Sequence, residues 1–263
     1  MTIKKLFTIV LALSMVFALC ACGKSADTDS DLKYIQDKGT LIVGITDFAP
    51  MDYKDGSGEW IGFDADMAKT FAEYIGVKAD FVEINWDNKL LELNAKSIDC
   101  VWNGMTLTDE VTKTMSCTDA YCNNAQVVVV NADAADKYQD VDSLKELNFA
   151  VESGSAGEAA ATEAGLSYTA VLTQADALME VSAGTSDACI IDLLMAGAMI
   201  GEGTSYPSLT YTVALTSEKY GVGFRSGSDL AAKFAEFYKA ACADGSVMET
   251  AKEYGVQESV ILP

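Results

Sequence analysis

Small polar residues and glycine follow three apolar runs of the sequence. The stretch 103–106, "NGMT", comes directly after "IDCVW", and the stretch 153–158, "SGSAGE", follows the run "FAV". Asp192 ends a third run, "DACIID". Hydroxyl groups, free backbone N–H groups and a carboxylate are groups with which proteins bind small charged molecules. The pattern therefore indicates a binding site at the ends of buried strands.

The residue types that the chain lacks narrow the chemistry further. The absence of histidine excludes Ser–His and Cys–His nucleophilic catalysis. Without histidine and without a Cys-x-x-Cys spacing we expect no metal site and no cofactor. A net charge of −21 excludes a nucleic-acid partner, because phosphate binding needs a basic surface. The acidic balance could favour a cationic ligand, although net charge alone does not describe a pocket.

Cysteines in the main part of the chain do not indicate a disulfide framework, because their number is odd and the chain is not small. They are Cys100, Cys117, Cys122, Cys189 and Cys242. Cys100 and Cys189 lie inside apolar runs and should pack as small apolar residues. A pair between Cys117 and Cys122 stays open.

The N-terminal segment has the pattern of a bacterial export signal. "MTIKK" is positively charged, and the apolar run 6–21 that follows is short for a membrane-spanning helix. Its end, "LCACG", resembles the lipobox of bacterial lipoproteins, in which a cysteine is lipidated. Cys22 is the better candidate, because Cys20 follows a leucine where a small residue is wanted. We therefore predict a lipoprotein signal peptide over 1–21, a lipid such as palmitate on Cys22 and a tether over 22–31; an uncleaved signal-anchor is the alternative.

Apolar runs and amphipathic stretches alternate along the rest of the chain. "TLIVGI", "ADFVEI" and "IDCVW" predict strands, and "FDADMAKTFAEYIG" and "NKLLELNAKS" predict helices between them. A similar series runs from "QVVVV" to "DACIID", and two amphipathic helices close the sequence. This order predicts an α/β fold of two lobes with parallel-rich sheets. Such folds bind small molecules in a cleft at the carboxyl ends of strands.

Several motifs in this order resemble the amino-acid type of the bacterial extracellular solute-binding proteins, family 3. They include "LIVGITDFAPMDYKDGSGEWIGFDADMAKTF", "DCVWNGMT", "VESGSAGE", "SDACIID" and "EKYGVGFRSG". The resemblance implies a two-lobed periplasmic-binding-protein-like fold of type II, with a hinge between the lobes. It places the first lobe at 32–126 and 217–263, the second lobe at 131–216, and the first hinge crossing at 127–130.

The resemblance also implies a function. Members bind an amino acid or a related small amine in the cleft, close around it and deliver it to an ABC permease in the membrane. We therefore expect a monomeric, extracytoplasmic binding protein, anchored to the outer face of the cell membrane through Cys22, and not an enzyme. Cyclohexadienyl dehydratases, which resemble these receptors, are one alternative, although no close carboxylate pair aimed at the pocket is evident. A sensory lobe acting through a partner chain is another.

Ten residues form the candidate ligand site that the resemblance implies. Phe48 and Trp86 match aromatic wall positions, and an aromatic face can hold an apolar side chain or a cation. The Gly104 carbonyl and the Thr106 hydroxyl would accept hydrogen bonds from the ligand ammonium, and the Thr106 N–H would donate to its carboxylate. The full set is Phe48, Trp86, Asn103, Gly104, Met105, Thr106, Val111, Ser155, Ala156 and Asp192.

The second lobe should supply the remaining contacts. Ser155 and the backbone of Ala156 open a predicted helix, whose free N–H groups suit a carboxylate. Ala156 lacks the hydroxyl that many members carry there. Asp192 matches the aspartate that pairs with the ligand ammonium, and an ion pair buried by closure would favour the closed form.

Val111 departs from the family pattern, in which an arginine at this position binds the ligand carboxylate through a bidentate ion pair, called the clamp below. Losing such a pair usually costs about 2–5 kcal/mol of binding. Lys113 should point elsewhere, and Arg225 matches a position remote from the ligand. Since no other residue evidently replaces the clamp, we predict an amine-bearing ligand with a weakened, altered or absent carboxylate requirement.

Overall fold

Residues 30–263 are described by the computed structural model of the chain. The predicted signal peptide (1–21), the lipidation candidate Cys22 and nearly all of the predicted tether (22–31) lie outside the described residues. Of the helices in the described part, none is long and apolar enough to span a membrane.

Strands and helices alternate through residues 30–263. The strands are β1 (Thr40–Ile45), β2 (Tyr53–Lys54), β3 (Trp60–Ile61), β4 (Lys78–Glu83), β5 (Cys100–Val101), β6 (Ser116–Cys117), β7 (Cys122–Asn124), β8 (Gln126–Asn131), β9 (Asn148–Glu152), β10 (Ser167–Val171), β11 (Ala188–Asp192), β12 (Leu209–Ala214), β13 (Glu218–Tyr220) and β14 (Gly223–Phe224). The helices are α1 (Asp31–Lys38), α2 (Phe63–Tyr74), α3 (Lys89–Asn94), α4 (Asp109–Thr114), α5 (Ala156–Ala164), α6 (Gln174–Ala183), α7 (Leu193–Met199), α8 (Leu230–Asp244) and α9 (Ser246–Glu253). Short 3-10 turns lie at Trp86–Asn88, Ala132–Lys137 and Val141–Leu144.

The first lobe contains a five-stranded sheet in the order β4-β1-β5-β14-β6. Strand β1 pairs in parallel with β4 and β5, whereas β14 pairs antiparallel with β5 and β6. Gly44 in β1 passes the side chain of Ile98, and a Cβ atom on it would come within 2.5 Å of Ile98 Cδ1. Glycine therefore permits the close packing in the middle of this sheet.

Helix α2 covers one face of the first sheet. Met67, Ala68 and Phe71 recur at helical spacing and are buried. The Phe71 ring centroid lies 5.7 Å from that of Phe234 and 5.3 Å from that of Phe237, both in α8. Aromatic contacts at these distances add to the stabilisation from buried area. The returning C-terminal helix α8 therefore packs into the core of the first lobe.

The second lobe contains a five-stranded sheet in the order β10-β9-β11-β8-β12. Strand β9 pairs in parallel with β10 and β11, and β8 pairs antiparallel with β11 and β12. Residues 127–130, expected as a hinge crossing, lie inside β8. These four valines are buried, as the β-branched residues of an internal strand should be. The chain therefore enters the second sheet earlier than the resemblance implied.

Two short strands carry the chain between the lobes. Strand β7 leads from the first sheet towards β8, and β13 leads back from β12 towards β14. They pair antiparallel, with Asn124 opposite Glu218 and Cys122 opposite Tyr220. This two-stranded element, which we call the crossing ribbon, is the described connection at which a hinge would bend.

Arg225 fastens the returning chain to the start of the first lobe. Its Nε donates to Asp31 Oδ2 over 3.0 Å, its Nη2 to Asp99 Oδ1 over 3.2 Å and its Nη1 to the Ile98 carbonyl over 2.8 Å. The guanidinium is buried and fully engaged, so its contacts offset the cost of burying its charge. As expected, Arg225 is remote from the cavity described below.

The cysteines of residues 30–263 are free thiols, with Cys100 and Cys189 buried as expected. The pair that stayed open, Cys117 with Cys122, is not bonded in this structure. The disulfide alternative therefore plays no part in the packing described above.

Candidate ligand-binding site

A cavity of about 300 Å³ lies between the two sheets. Its walls include the residues at and after the carboxyl ends of β1, β5, β9 and β11, where α/β folds bind small molecules. The ten candidate residues all line it: Phe48, Trp86, Asn103, Gly104, Met105, Thr106, Val111, Ser155, Ala156 and Asp192. The structure thus brings the whole set together from both lobes.

Asn103 lines the cavity, but its side-chain amide is engaged inside the protein. Its Oδ1 accepts from the N–H of Thr46 over 3.0 Å and from the Thr46 hydroxyl over 2.8 Å. Its Nδ2 donates to the Thr46 carbonyl and to Asp52 Oδ2, over 3.0 and 2.8 Å. Two donors and two acceptors saturate an amide. Asn103 therefore holds the 103–106 loop in place and has no side-chain group left for a ligand.

Gly104 needs to be glycine for two reasons. Its φ of 56° lies in the left-handed region, and a Cβ atom would come within 2.4 Å of Phe48 Cε1. The Gly104 N–H donates to the buried carboxylate of Asp64 over 2.7 Å. The backbone of the 103–106 loop therefore packs directly on the Phe48 ring and lies next to the cavity.

Thr106 has a fixed hydroxyl orientation. Its Oγ1 donates to Glu218 Oε1 over 2.9 Å. The same Glu218 oxygen accepts from Asn124 Nδ2 over 2.7 Å and from Gln126 Nε2 over 2.8 Å. Because the Thr106 proton points at Glu218, the lone pairs of its oxygen are left to accept. The hydroxyl thus has the polarity that an ammonium group requires.

Asp192 is only 4% exposed, and its carboxylate accepts hydrogen bonds mainly through one oxygen. Oδ1 accepts from Gln126 Nε2 over 2.9 Å, from the Tyr220 hydroxyl over 2.6 Å and from Asn124 Nδ2. Oδ2 accepts from Gln174 Nε2, and the Asp192 N–H donates to Gln174 Oε1 over 2.8 Å. An ionised carboxylate oxygen has two lone pairs, so Oδ2 keeps one for a ligand donor.

The buried position of Asp192 changes its acidity. Burial, with a second contribution from the negative charge of Glu218, raises the pKa of the Asp192 carboxyl to about 7, although hydrogen bonds from Tyr220, Gln174 and Gln126 act in the opposite direction. The group is therefore poised near neutral pH. A ligand cation beside it would favour the ionised form.

The start of α5 faces the cavity as expected. Ser155 caps the helix, because its Oγ accepts from the Glu158 N–H over 3.1 Å. Glu158 Oε2 in turn accepts from the Gly154 N–H over 2.7 Å. The backbone N–H groups of Ala156 and Gly157, in the first turn, remain oriented towards the helix start. A carboxylate could bind there without a basic side chain.

Val111 replaces the expected clamp with an apolar side chain. It is 7% exposed and lies in an apolar cluster with Trp86, Met105 and Met115. Lys113 points elsewhere, as expected: it is exposed and pairs with Asp109 over 2.8 Å. At the position where the family has an arginine, this chain therefore has a side chain that packs in an apolar cluster and carries no charge.

Lys89, which the sequence analysis missed, is the one basic residue among the described residues that line the cavity. Its Nζ donates to the Gly154 carbonyl over 2.9 Å and to the Trp86 carbonyl over 3.2 Å, and lies 5.1 Å from the Trp86 ring centroid. Burial lowers the pKa of Lys89, against the opposing negative charges of Glu152 and Glu110. Its place directly after the Trp86 turn, at the first residue of α3, was the available signal.

Glu152 is the second residue that the sequence analysis missed. It ends β9, is 2% exposed, lines the cavity, and its Oε1 has no hydrogen-bond partner within residues 30–263. Burial first, and then the charge of Asp192, raise the pKa of the Glu152 carboxyl to about 8, while Lys89 opposes this shift. The statement that no carboxylate pair is aimed at the pocket was therefore wrong. The strand-end position that singled out Asp192 would also have found Glu152.

Phe48 and Trp86 both line the cavity. Phe48 is held by an edge-to-face contact with Tyr220, with ring centroids 6.4 Å apart and planes at 83°. Trp86 begins the 3-10 turn before α3 and is mostly buried. Within residues 30–263, no group of three or more cysteine, aspartate or glutamate side chains is placed to hold a metal ion.

The chain belongs to the bacterial extracellular solute-binding proteins, family 3, whose family model matches residues 41–257. The arginine-binding extracellular protein ArtP of Bacillus subtilis (strain 168) is 26% identical over 257 residues, covering 95% of this chain and 98% of ArtP. The L-cystine-binding protein TcyA of the same organism is 33% identical over 198 residues, covering 70% of this chain and 73% of TcyA.

Solved structures agree with this assignment. The ancestral amino acid-binding protein AncCDT-1, a precursor of cyclohexadienyl dehydratase, matches with a TM-score of 0.79 at 31% identity, over 86% of this chain and 99% of that one. The predicted family and the predicted two-lobed α/β fold are thereby confirmed. The prediction of an extracellular solute-binding protein is confirmed at the level of the family.

Proposed function

We propose that this chain is the extracytoplasmic binding component of an ABC transporter and captures an amino acid or a related small amine between its lobes. The observation that carries the proposal is the convergence of ten candidate residues from both lobes on one cavity. A ligand that touches both lobes stabilises the closed arrangement, because only there are both within reach. Relatives are named for binding arginine and cystine, so these amino acids come first in a test.

The ligand ammonium binds at the Asp192 side of the cavity. It donates to the Thr106 hydroxyl, the Gly104 carbonyl and the remaining lone pair of Asp192 Oδ2. Glu218 supports this arrangement, since it orients the Thr106 proton away from the ligand. Phe48 and Trp86 enclose the carbon atoms of the ligand.

The ligand carboxylate, where there is one, binds at the start of α5. Ser155, the N–H of Ala156 and the N–H of Thr106 donate to it, and Lys89 supplies the positive charge. Lysine offers a point charge instead of the planar fork of arginine, and two of its protons are already shared with backbone carbonyls. The carboxylate requirement is therefore altered and weaker than with a two-pronged clamp.

The cellular setting of the proposal comes from the N-terminal pattern and the family. The chain is exported through the signal at 1–21, anchored by a palmitate-bearing lipid on Cys22 at the outer face of the cell membrane, and serves a permease as a monomer. Residues 32–125 and 217–263 form one moving lobe, and residues 126–216, which include β8, belong to the other.

A ligand screen tests the proposal. We expect at least one of the twenty amino acids, or a small amine, to raise the thermal unfolding temperature and to show saturable heat in calorimetry. Stabilisation at a hundredfold excess over Kd should be about 2.7 kcal/mol. Asp192→Asn should weaken binding, whereas Asp244→Asn on the exposed end of α8 should not. A screen in which no amino acid or amine binds would reject the proposal.

A second candidate is an enzyme of the cyclohexadienyl dehydratase kind. It is favoured by one observation, the two cavity carboxyls Glu152 and Asp192 with pKa values raised to about 8 and about 7, a range suited to general acid catalysis. Against it, Lys89 is the one basic residue that the described part of the lining offers to a substrate such as prephenate, which carries two carboxylates. Incubation with prephenate or arogenate should give no product, and product formation would reverse this preference.

A further inference from the structure

Among the residues that the structure covers, the carboxylate of Glu152 lacks a hydrogen-bond partner at one oxygen, whereas the other polar side chains of the site described above have partners. Buried carboxylate oxygens in folded proteins are nearly always hydrogen-bonded, yet Oε1 of this carboxylate has no partner within residues 30–263. A carboxylate buried without a counter-charge is costly, and its cost falls when a cation is placed beside it. Because Glu152 lines the cavity, a bound molecule can supply that cation.

Within residues 30–263, no cationic side chain donates a hydrogen bond to Glu152, although the charge of Lys89 acts on it. Lys89 is the nearest candidate, but its Nζ hydrogen bonds go to the carbonyls of Gly154 and Trp86. The charge of Asp192 raises the pKa of Glu152 further, and the side chains of Gln174 and Thr46, which act in the opposite direction by hydrogen bonding, carry no charge. In the described part of the chain, Glu152 thus lines the cavity with one carboxylate oxygen free of hydrogen bonds and with no cation bonded to it.

Acidic side chains outnumber basic ones in the described lining of the cavity, so its charge is negative, like that of Glu152. Asp109 is already paired with Lys113, and four further acidic lining residues stand against the ammonium of Lys89: Asp87, Glu110, Glu152 and Asp192. A ligand with a surplus of positive charge complements such a lining and approaches it faster. A neutral zwitterion would leave the surplus uncompensated.

We infer that Glu152 is the specificity-determining residue of the site and binds a second cationic group of the ligand. This inference rests on the proposed function, which assigns the first ammonium to Asp192. The ligand class is then a molecule with two separated positive charges, either a basic amino acid or a diamine. Trp86 and Phe48 enclose the carbon chain between the two cationic groups, and the cavity of about 300 Å³ restricts the ligand to this size.

Two pairs of ligands, each with and without a cationic end, test the inference by calorimetry. Arginine is compared with citrulline, and lysine with norleucine, because each pair differs in one cationic end. We expect the cationic member to bind on the order of thirtyfold or more tightly to the wild-type protein, the effect of one buried charge pair. Cadaverine and agmatine, which lack the carboxylate, show whether the class is amino acid or diamine.

A matched pair of variants assigns the effect to Glu152. Glu152→Gln keeps the shape and removes the charge, and it should reduce the preference for the cationic member to within a few-fold. Glu163→Gln removes the same charge from an exposed position of α5 and should leave the preference unchanged. Thermal unfolding checks that both variants are folded.

The outcomes separate the inference from the proposed function. If citrulline and norleucine bind wild-type protein as tightly as arginine and lysine, Glu152 selects no second cation, while amino-acid binding stands. Unchanged discrimination in folded Glu152→Gln would also overturn the inference. If no tested compound binds, the proposed function itself fails. The comparison of cationic and neutral ligands on the wild-type protein tests the inference even if Glu152→Gln does not fold.

Discussion

The Lys89 ammonium of the first lobe donates a hydrogen bond over 2.9 Å to the Gly154 carbonyl of the second lobe. On the same side of the cavity, the Gly154 backbone lies so close to Asp87 that a Cβ atom would come within 2.6 Å of Asp87 Cα. The lobes are therefore in direct contact beside the ligand site. This contact offers a way to alter closure without altering the residues proposed to bind the ammonium.

Replacing Lys89 should affect ligands with a carboxylate most. Lys89→Met removes a charged hydrogen bond, so affinity for arginine or lysine should fall by roughly ten- to a hundredfold. Agmatine and cadaverine, which have no carboxylate, should lose much less. Calorimetry with each pair gives the ratio. Lys96→Met, an exposed lysine just beyond α3, is the control, and an unchanged ratio in Lys89→Met would contradict the proposed carboxylate role.

Introducing the family arginine should restore a strict carboxylate requirement. Val111→Arg places a guanidinium in the apolar cluster with Met105 and Met115, so stability should fall by about 1–3 kcal/mol. In the folded fraction, lysine should gain affinity over cadaverine by at least about tenfold. Denaturant unfolding and calorimetry measure both effects. A stable Val111→Arg protein with the original lysine-to-cadaverine ratio would show that position 111 no longer faces the carboxylate.

Gly154→Ala should hinder closure by steric conflict. Both Gly154 and Gly165 have a positive φ, at 71° and 68°, so an alanine at either position costs about 1–2 kcal/mol of backbone strain. Only at Gly154 would the new Cβ meet Asp87, whereas nothing lies within 4 Å at Gly165. Ligand affinity should therefore fall in Gly154→Ala and stay unchanged in Gly165→Ala. Equal affinities in the two variants would mean that this contact is irrelevant to binding.

Stability of the ligand-free protein should fall as the pH rises through the neutral range. The pKa values of Glu152, Asp192 and Asp64 are raised to about 8, about 7 and about 7, mainly by burial. These carboxyls hold their protons more tightly in the folded chain than in the unfolded chain, so their stabilisation is complete below their ordinary pKa values and is lost towards pH 8.

Denaturant unfolding between pH 5 and pH 8 measures this slope. Lys89 and Asp192 are the charged neighbours that act on Glu152, and Glu152→Gln should flatten its part of the slope. A bound ligand cation should also flatten it, because the cation stabilises the ionised carboxylates. Stability that rises over this interval without ligand would contradict the proton occupancy described here.

Local sequence pattern pointed to Asp192 and to the loops at 103–106 and 153–158, because strand ends carry local signals, whereas the family resemblance supplied Phe48, Trp86 and Val111. Asp192 ends one apolar run and the 103–106 loop follows another, and within each sheet parallel strands place their carboxyl ends at one edge. The roles of Asn103 and Glu218 were beyond the sequence. Asn103 binds Thr46 and Asp52, and Glu218 meets Thr106 only because the crossing ribbon brings distant segments together.

The same limit explains the residues that were missed. Lys89 begins a short helix of mixed composition, and its role depends on how the second lobe lies against the first. Glu152 stands at a strand end, but nothing in the local sequence indicates that its Oε1 has no hydrogen-bond partner within residues 30–263. Pairing between lobes is a property of the whole fold and has no local pattern.

The crossing ribbon has a consequence for how such a receptor can change. Asn124 and Glu218 lie opposite each other in the ribbon, and both bond directly to groups of the ligand site. A substitution that alters ligand binding near Asp192 therefore also alters the stiffness of the crossing ribbon. Ligand preference and the lifetime of the closed state are therefore coupled. When evolution changes the ligand, it also changes how long the closed protein persists.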